Sequence, residues 1–224
     1  MSVIEKLDHL NKHIQEICLR VNRDPSTIQI IAVTKYVDEE VTKAVLDAGV
    51  IHIGENRPEN GVQKWEALHD RGVWHFIGSL QSRKVKKIIG KFDYIHSLDR
   101  LTLAEELDKR QTKKDPIKCF VQVNVSGEET KAGLEPNEVI PFIRQLENYP
   151  TIEVVGLMTM APFFENPERT RPVFQALKVL RDEVHSLQLP FAPCTELSMG
   201  MSNDYEIAIE EGATFIRIGS AIVG

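Results

Sequence analysis

Short apolar, β-branched runs alternate with longer amphipathic segments along the whole chain of 224 residues. Eight of these runs predict strands, at 28–34, 50–54, 73–78, 93–97, 117–125, 152–159, 194–198 and 214–218. The segments between them predict helices at 38–48, 57–70, 81–90, 100–111, 135–148, 165–187 and 203–211, and another amphipathic helix precedes the first strand. Strict alternation implies parallel strands, and eight of them favour an α/β fold, a single (β/α)8 TIM barrel with an extra N-terminal helix. An open doubly wound sheet is the alternative. Residues 1–224 are expected to form one domain.

The overall composition excludes several classes of protein. Hydrophobic residues make up 42% and charged residues 27% of the chain, which is typical of soluble globular proteins. The net charge of −6 gives no reason to expect nucleic acid or a membrane surface as a partner. Cys18, Cys119 and Cys194 are odd in number and far apart, which favours free thiols in the cytoplasm. His9 and His13 lie on a surface helix without a third ligand, so no metal site is predicted.

The first predicted strand ends in a lysine, in the segment "IIAVTKYV" at 30–37. Active sites of TIM barrels form at the carboxyl ends of the strands, which is where Lys35 falls. One interpretation is a lysine that extends its ammonium group into solvent, paired with Glu55. The other is a lysine that attacks an aldehyde and forms a Schiff base.

The last two strands are followed by turns of small residues, within "SMGMSNDYEIAIEEGATFIRIGSAIVG". The turns are Ser198–Ser202 and Gly219–Ser220, and a helix is predicted to begin at Ser202-Asn203. The loops after strands seven and eight are the usual phosphate site of such barrels, although ordinary tight turns remain an alternative. A lysine with a phosphate site across the barrel mouth predicts a phosphorylated aldehyde, either pyridoxal 5′-phosphate (PLP) or a sugar-phosphate intermediate of an aldolase.

Motifs along nearly the whole chain resemble one known family. They are "AVTK", "HIGENRPEN", "WHFIGSLQSRKVK", "IHSLDR", "VQVNVSGEETKAGL", "GLMTMAP" and the closing "LSMGMSNDYEIAIEEGATFIRIGSAIVG". In this order they resemble the pyridoxal-phosphate homeostasis proteins, single-domain PLP-binding relatives of the alanine racemase barrel (fold-type III).

The resemblance assigns roles to individual residues. It implies that Lys35 forms the aldimine with PLP and that Arg217 faces the pyridine nitrogen. The other cofactor-binding residues that it implies are Asn56, Met199, Ser202, Gly219 and Ser220, the last standing where many members have threonine. His75 and Ser79 are weaker candidates at a neighbouring strand end. Lys131 matches a lysine suspected of a second, transient PLP contact, and a solvated loop lysine is the alternative there.

The implied function is to bind and carry PLP. An arginine disfavours protonation of the pyridine nitrogen, which weakens carbanion chemistry, and the chain offers no second domain to supply a catalytic tyrosine. We therefore expect a PLP carrier that acts as a monomer and delivers PLP to apo-enzymes without efficient amino-acid turnover. The alternatives are a PLP-dependent racemase of low activity and a class I aldolase. The basic segment 82–91 is expected to be a solvated face, with docking of an acidic partner or RNA as its alternative.

Overall fold

The computed structural model describes residues 1–69, 71–128 and 131–224, and it confirms the predicted closed barrel of eight parallel strands. Each strand pairs with its neighbours in sequence, and β8 closes the ring by pairing with β1. The strands are β1 (Gln29–Val33), β2 (His52–Glu55), β3 (Val73–Phe76), β4 (Tyr94–Leu98), β5 (Ile117–Gln122), β6 (Ile152–Met158), β7 (Glu196–Met201) and β8 (Phe215–Ile218).

Helices surround the strands at the predicted places. They are α1 (Val3–Arg20), α2 (Glu39–Asp47), α3 (Pro58–Leu68), α4 (Val85–Ile88), α5 (Leu101–Arg110), α6 (Pro136–Gln145), α7 (Arg171–Ser186), α8 (Tyr205–Glu210) and α9 (Ser220–Val223). No α-helix among the described ranges is both long and apolar enough to span a bilayer.

Helix α1 closes the outer ring, as the sequence predicts. Ser2 and Glu5 form a reciprocal capping box that starts the helix, and its apolar face is buried. It packs against α8, the one-turn α9 and α2. The Lys6 ammonium group donates a hydrogen bond to the carbonyl of Gly224. Helix α1 therefore lies in the outer ring between α8 and α2.

The core has two parts, one outside and one inside the barrel. The larger apolar cluster lies between the strands and the helices. The smaller one, inside the barrel, contains Ile31, Phe120, Val155, Met158 and Phe215. Buried histidines share this interior, and their rings contact its aromatic side chains. A polar layer therefore lies within the barrel.

These buried histidines, His52, His75 and His96, have lowered pKa values. Burial is the largest cause in each case, because a charged imidazolium is costly to desolvate. The unfolded chain therefore binds more protons than the folded chain below pH 6.5, and the folded state loses stability as the pH falls through that range.

We expect the free energy of unfolding to fall between pH 6.5 and 5 by up to about 1.4 kcal/mol per pH unit for each buried neutral histidine. Urea unfolding at half-unit pH intervals measures this slope. His75→Gln should reduce it, whereas the same change at the exposed His9 should not. A stability that stays constant across this range would contradict the neutral assignment.

Candidate functional site

A cavity of about 620 Å³ opens at the carboxyl ends of the strands. Its lining includes six of the predicted cofactor-binding residues, which are Lys35, Asn56, Ser202, Arg217, Gly219 and Ser220. Other lining residues include Tyr36, Ile77, Ser79, Gln122, Ala132, Met160 and Met201. The expected strand-end residues therefore converge on one site.

The lysine and the predicted phosphate turn are neighbours and do not face each other across the barrel mouth. Strand β1 pairs with β8 in the register Ala32↔Ile218, so the segments that follow the two strands lie side by side. A side chain at Gly219 would meet Val33 at 3.6 Å. Lys35 and Gly219 were predicted to lie across the barrel mouth from each other because they are far apart in the sequence. Barrel closure instead makes the first and last strands adjacent.

Lys35 lies in a turn just after β1 and is partly buried. Its Nζ atom lies 4.8 Å from the centroid of the Tyr36 ring. Among the described residues it has neither a hydrogen-bond acceptor nor an ion-pair partner for this ammonium group. The predicted alternative, a pair with Glu55, is wrong, because the Glu55 carboxylate pairs with Lys64. The amine of Lys35 is therefore available to a ligand.

The Glu55–Lys64 ion pair fixes the backbone next to Lys35. Lys64 Nζ lies 2.6 Å from Glu55 Oε1 and donates to the Thr34 carbonyl at 2.6 Å, and the Thr34 hydroxyl donates to the same carboxylate oxygen. Glu55 is fully buried, and its Oε2 atom has no hydrogen-bond partner in the described structure. This pair joins the ends of β1 and β2, from which Lys35 and Asn56 extend.

Arg217 is a buried cation held only by neutral groups. Its Nη1 donates to the Ser198 hydroxyl at 2.6 Å and its Nη2 to the Thr159 carbonyl at 2.8 Å. In the ranges that the structure describes, no carboxylate lies within ion-pair distance of this guanidinium. Burial lowers its pKa to about 10, so it stays protonated at neutral pH. The Asp204 carboxylate partly offsets this lowering of the pKa from beyond ion-pair distance. A buried guanidinium that lines a cavity attracts an electron-rich ligand group.

The turns after β7 and β8 meet through one hydrogen bond. The Gly219 N–H donates to the Ser202 hydroxyl at 3.3 Å. Helix α8 begins at Tyr205, after the N-cap Asp204, rather than at Ser202-Asn203 as predicted. Asp204 accepts from the N–H of Met201, which ends the strand and delays the helix. Ser202, Gly219 and Ser220 therefore form one polar rim of the cavity.

Met199 does not line the cavity, which corrects its predicted place there. It is fully buried in the cluster between strands and helices, while Met201 lines the cavity. Strand β7 contains a bulge, since its register to β8 shifts between Ser198 and Met201, and Gly200 has φ +91°. The extra residue reverses the alternation of side chains along the strand and directs Met201 toward the cavity. His75, a weaker candidate, is likewise buried away from the cavity.

Two basic features lie outside the cavity lining. Lys131 is partly exposed, and its N–H bonds to the Glu128 carbonyl in the loop that contributes Ala132 to the lining. Within the basic segment 82–91, Lys84 and Lys87 both pair with Glu59 of α3. Those charges are partly neutralised within the chain, which supports a solvated face over a docking site.

The sequence matches the family described as alanine racemase, N-terminal domain, over residues 6–224. It is 42% identical over 229 residues to the pyridoxal phosphate homeostasis protein of Aquifex aeolicus, covering 100% of this chain and 98% of that protein. The chain belongs to the pyridoxal phosphate homeostasis protein family. This confirms the resemblance that its motifs indicate.

Solved structures agree with this family. PipY of Synechococcus elongatus, solved with PLP bound, superposes with a TM-score of 0.85 at 32% identity and covers 100% of both chains. The alanine racemase from Corynebacterium glutamicum has a TM-score of 0.75 at 14% identity and covers 99% of this chain but 61% of that one. The second comparison shows a shared fold only.

We expect Lys64→Met to lower the free energy of unfolding by about 3–5 kcal/mol, because it leaves the Glu55 carboxylate buried without its partner. Urea unfolding measures the loss. The double variant Glu55→Gln/Lys64→Met should recover much of it, and Lys178→Met, in an exposed pair with Asp182, should have little effect. Equal losses in the single and double variants would show that the pair does not act as a unit.

Proposed function

We propose that this chain binds PLP in the strand-end cavity, holds it covalently through Lys35 and delivers it to apo-enzymes. The observation that carries this proposal is that one cavity holds both Lys35 and Arg217. Among the described residues, the Lys35 ammonium group has no hydrogen-bond or ion-pair partner, and no carboxylate lies within ion-pair distance of Arg217. The lysine suits an aldehyde and the arginine suits an electron-rich ring nitrogen. Membership of a family whose relatives are named for PLP homeostasis favours this ligand over a sugar phosphate.

Different lining residues would bind different parts of the PLP molecule. When bound, PLP supplies an aldehyde that condenses with a primary amine and releases water. Lys35 would provide the amine, and the rim of Ser202, Gly219 and Ser220 would bind the phosphate through hydroxyl and backbone N–H groups. Asn56 would lie along the ring and Arg217 would donate to the ring nitrogen.

The arginine argues against efficient amino-acid turnover. A donor-only guanidinium leaves the ring nitrogen unprotonated, which makes the cofactor a weaker electron sink. Tyr36, which sequence reasoning did not place at the site, lines the cavity, but it is 85% exposed. A hydroxyl in solvent is poorly placed for proton transfer at a fixed atom. Tyr36 is nevertheless the residue that would serve the racemase alternative.

The open mouth of the site suits release of the cofactor. Lys35 is only partly buried, and Lys131 lies one residue from the lining residue Ala132. A second amine near the mouth could accept PLP as it leaves Lys35. We infer that the chain acts as a cytoplasmic monomer, and its three free, buried cysteines support a reducing compartment.

We expect the purified protein incubated with PLP to show the visible absorbance of PLP attached to a lysine. Lys35→Ala should abolish it, because the attacking amine is lost, whereas Lys178→Ala on a surface helix should retain it. Titration by absorbance measures both. An unchanged spectrum in Lys35→Ala would contradict the covalent assignment, and absence of any absorbance in the wild type would contradict PLP binding at Lys35.

We expect the PLP-loaded protein to activate an apo-PLP enzyme faster than an equal concentration of free PLP. Lys131→Ala should slow this transfer while leaving the loaded spectrum unchanged, and Lys178→Ala should match the wild type. If the loaded protein activates the apo-enzyme no faster than free PLP does, the delivery role is wrong and the protein would only store PLP. Amino-acid racemisation at ~10 per second that is lost in Tyr36→Phe would favour the racemase alternative.

A further inference from the structure

A chain of hydrogen bonds runs through the barrel interior from one end toward the cavity. His52 Nε2 lies 3.2 Å from Gln29 Oε1, and His52 Nδ1 lies 2.8 Å from His75 Nε2. His75 Nδ1 lies 2.9 Å from His96 Nε2, and His96 Nδ1 lies 3.0 Å from Ser198 Oγ. Ser198 then accepts from Arg217. The chain therefore joins the amino-terminal end of the barrel to the cavity arginine.

Gln29, at the amino-terminal end of the barrel, sets the direction of these hydrogen bonds. The Gln29 amide nitrogen donates to the Ser26 carbonyl at 3.4 Å, so its Oε1 atom faces His52 as an acceptor. His52 must donate from Nε2, and its neutral ring then accepts at Nδ1. His75 and His96 then follow the same pattern. His75 donates from Nε2 to His52 Nδ1, and His96 donates from Nε2 to His75 Nδ1.

Ser198, next to the cavity arginine, requires the same direction of hydrogen bonding. His96 Nδ1 is left as an acceptor, so the Ser198 hydroxyl donates its proton to it and offers a lone pair to Arg217. In the reverse direction Ser198 would accept from both His96 and Arg217, and its own proton would have no acceptor among the described residues. Among the described residues, only the first direction gives the Ser198 proton an acceptor.

We propose that this one-directional chain positions Arg217, with Ser198 and His96 as the positioning residues, so that the guanidinium presents its full charge to the ring nitrogen of PLP. The inference rests on the proposed function. Neutral hydrogen-bond partners fix the Arg217 plane, and the Asp204 carboxylate acts on the guanidinium only from beyond ion-pair distance. Neutral histidines next to it also avoid a second buried positive charge, which would repel the guanidinium.

The direction of the chain is tested without any ligand. Nitrogen-15 NMR of the apo-protein distinguishes the two neutral tautomers and the imidazolium. We expect His52, His75 and His96 to be Nε2–H tautomers at pH 7.5. The signals are assigned by single His→Gln variants among the seven histidines. An Nδ1–H tautomer or an imidazolium at any of the three would overturn the proposed direction.

The positioning role is tested with PLP and with its carbocyclic analogue, in which C–H replaces the ring nitrogen. We expect the wild type to bind PLP about tenfold more tightly than the analogue, because only PLP accepts from Arg217. Ser198→Ala should lose most of this preference, and Ser198→Thr, which keeps the hydroxyl, should retain it. Thermal unfolding of each variant is the control for folding, and Ser198→Cys replaces Ser198→Ala if that variant does not fold.

Each outcome decides one question. A purely structural role for Ser198 would weaken both ligands equally, so a preference that is unchanged in Ser198→Ala would overturn the positioning role while the proposed function stands. Absence of Lys35-dependent PLP binding in the wild type would overturn the proposed function, and the positioning role with it. The NMR measurement on the apo-protein would still establish whether the hydrogen-bond direction is correct.

Discussion

The pairing of β1 with β8 is the constraint on which the rest of the site depends. In an open sheet Lys35 and Gly219 would follow strands at different positions along the edge, and no cavity would enclose both. Closure in the register Ala32↔Ile218 brings the segments after the first and last strands side by side. It also encloses the interior in which the histidines and Arg217 lose contact with water. The position of Lys35, the polar rim and the buried Arg217 are therefore consequences of one closing contact.

Sequence periodicity predicted the strands because fully buried parallel strands leave strong apolar signals. Family motifs predicted six residues that line the cavity. Met199 was misplaced because a bulge adds a residue to β7, and a local pattern that contains Gly200 does not distinguish a bulge from a turn. The start of α8 was misplaced for a related reason, since Asp204 bonds back to Met201 before the helix begins.

The polar interior could not be predicted because its partners are distant in sequence. Lys64 lies on α3, and its sequence context does not distinguish it from the exposed lysines of other helices. In the fold it is buried against Glu55. His52 likewise has no sequence signal that separates it from an ordinary strand residue, and His75 was predicted as a weaker cofactor candidate, not as a partner of other histidines. Only the folded barrel brings the His75 and His96 ring nitrogens within hydrogen-bond distance. Desolvating these groups costs free energy that their mutual hydrogen bonds offset, and such compensation appears only in three dimensions.

A carrier must bind its cofactor firmly and still release it, and the structure separates these requirements. The contacts that would orient the ring lie deep in the barrel, where Arg217 is fixed by Ser198 and Thr159. The proposed covalent contact would lie at the mouth, where Lys35 is only partly buried and Tyr36 is exposed to water. Water or a second amine could reach PLP attached to Lys35 without disturbing the buried network. Release would therefore begin at the mouth, while the interior stays ready to orient the next PLP molecule.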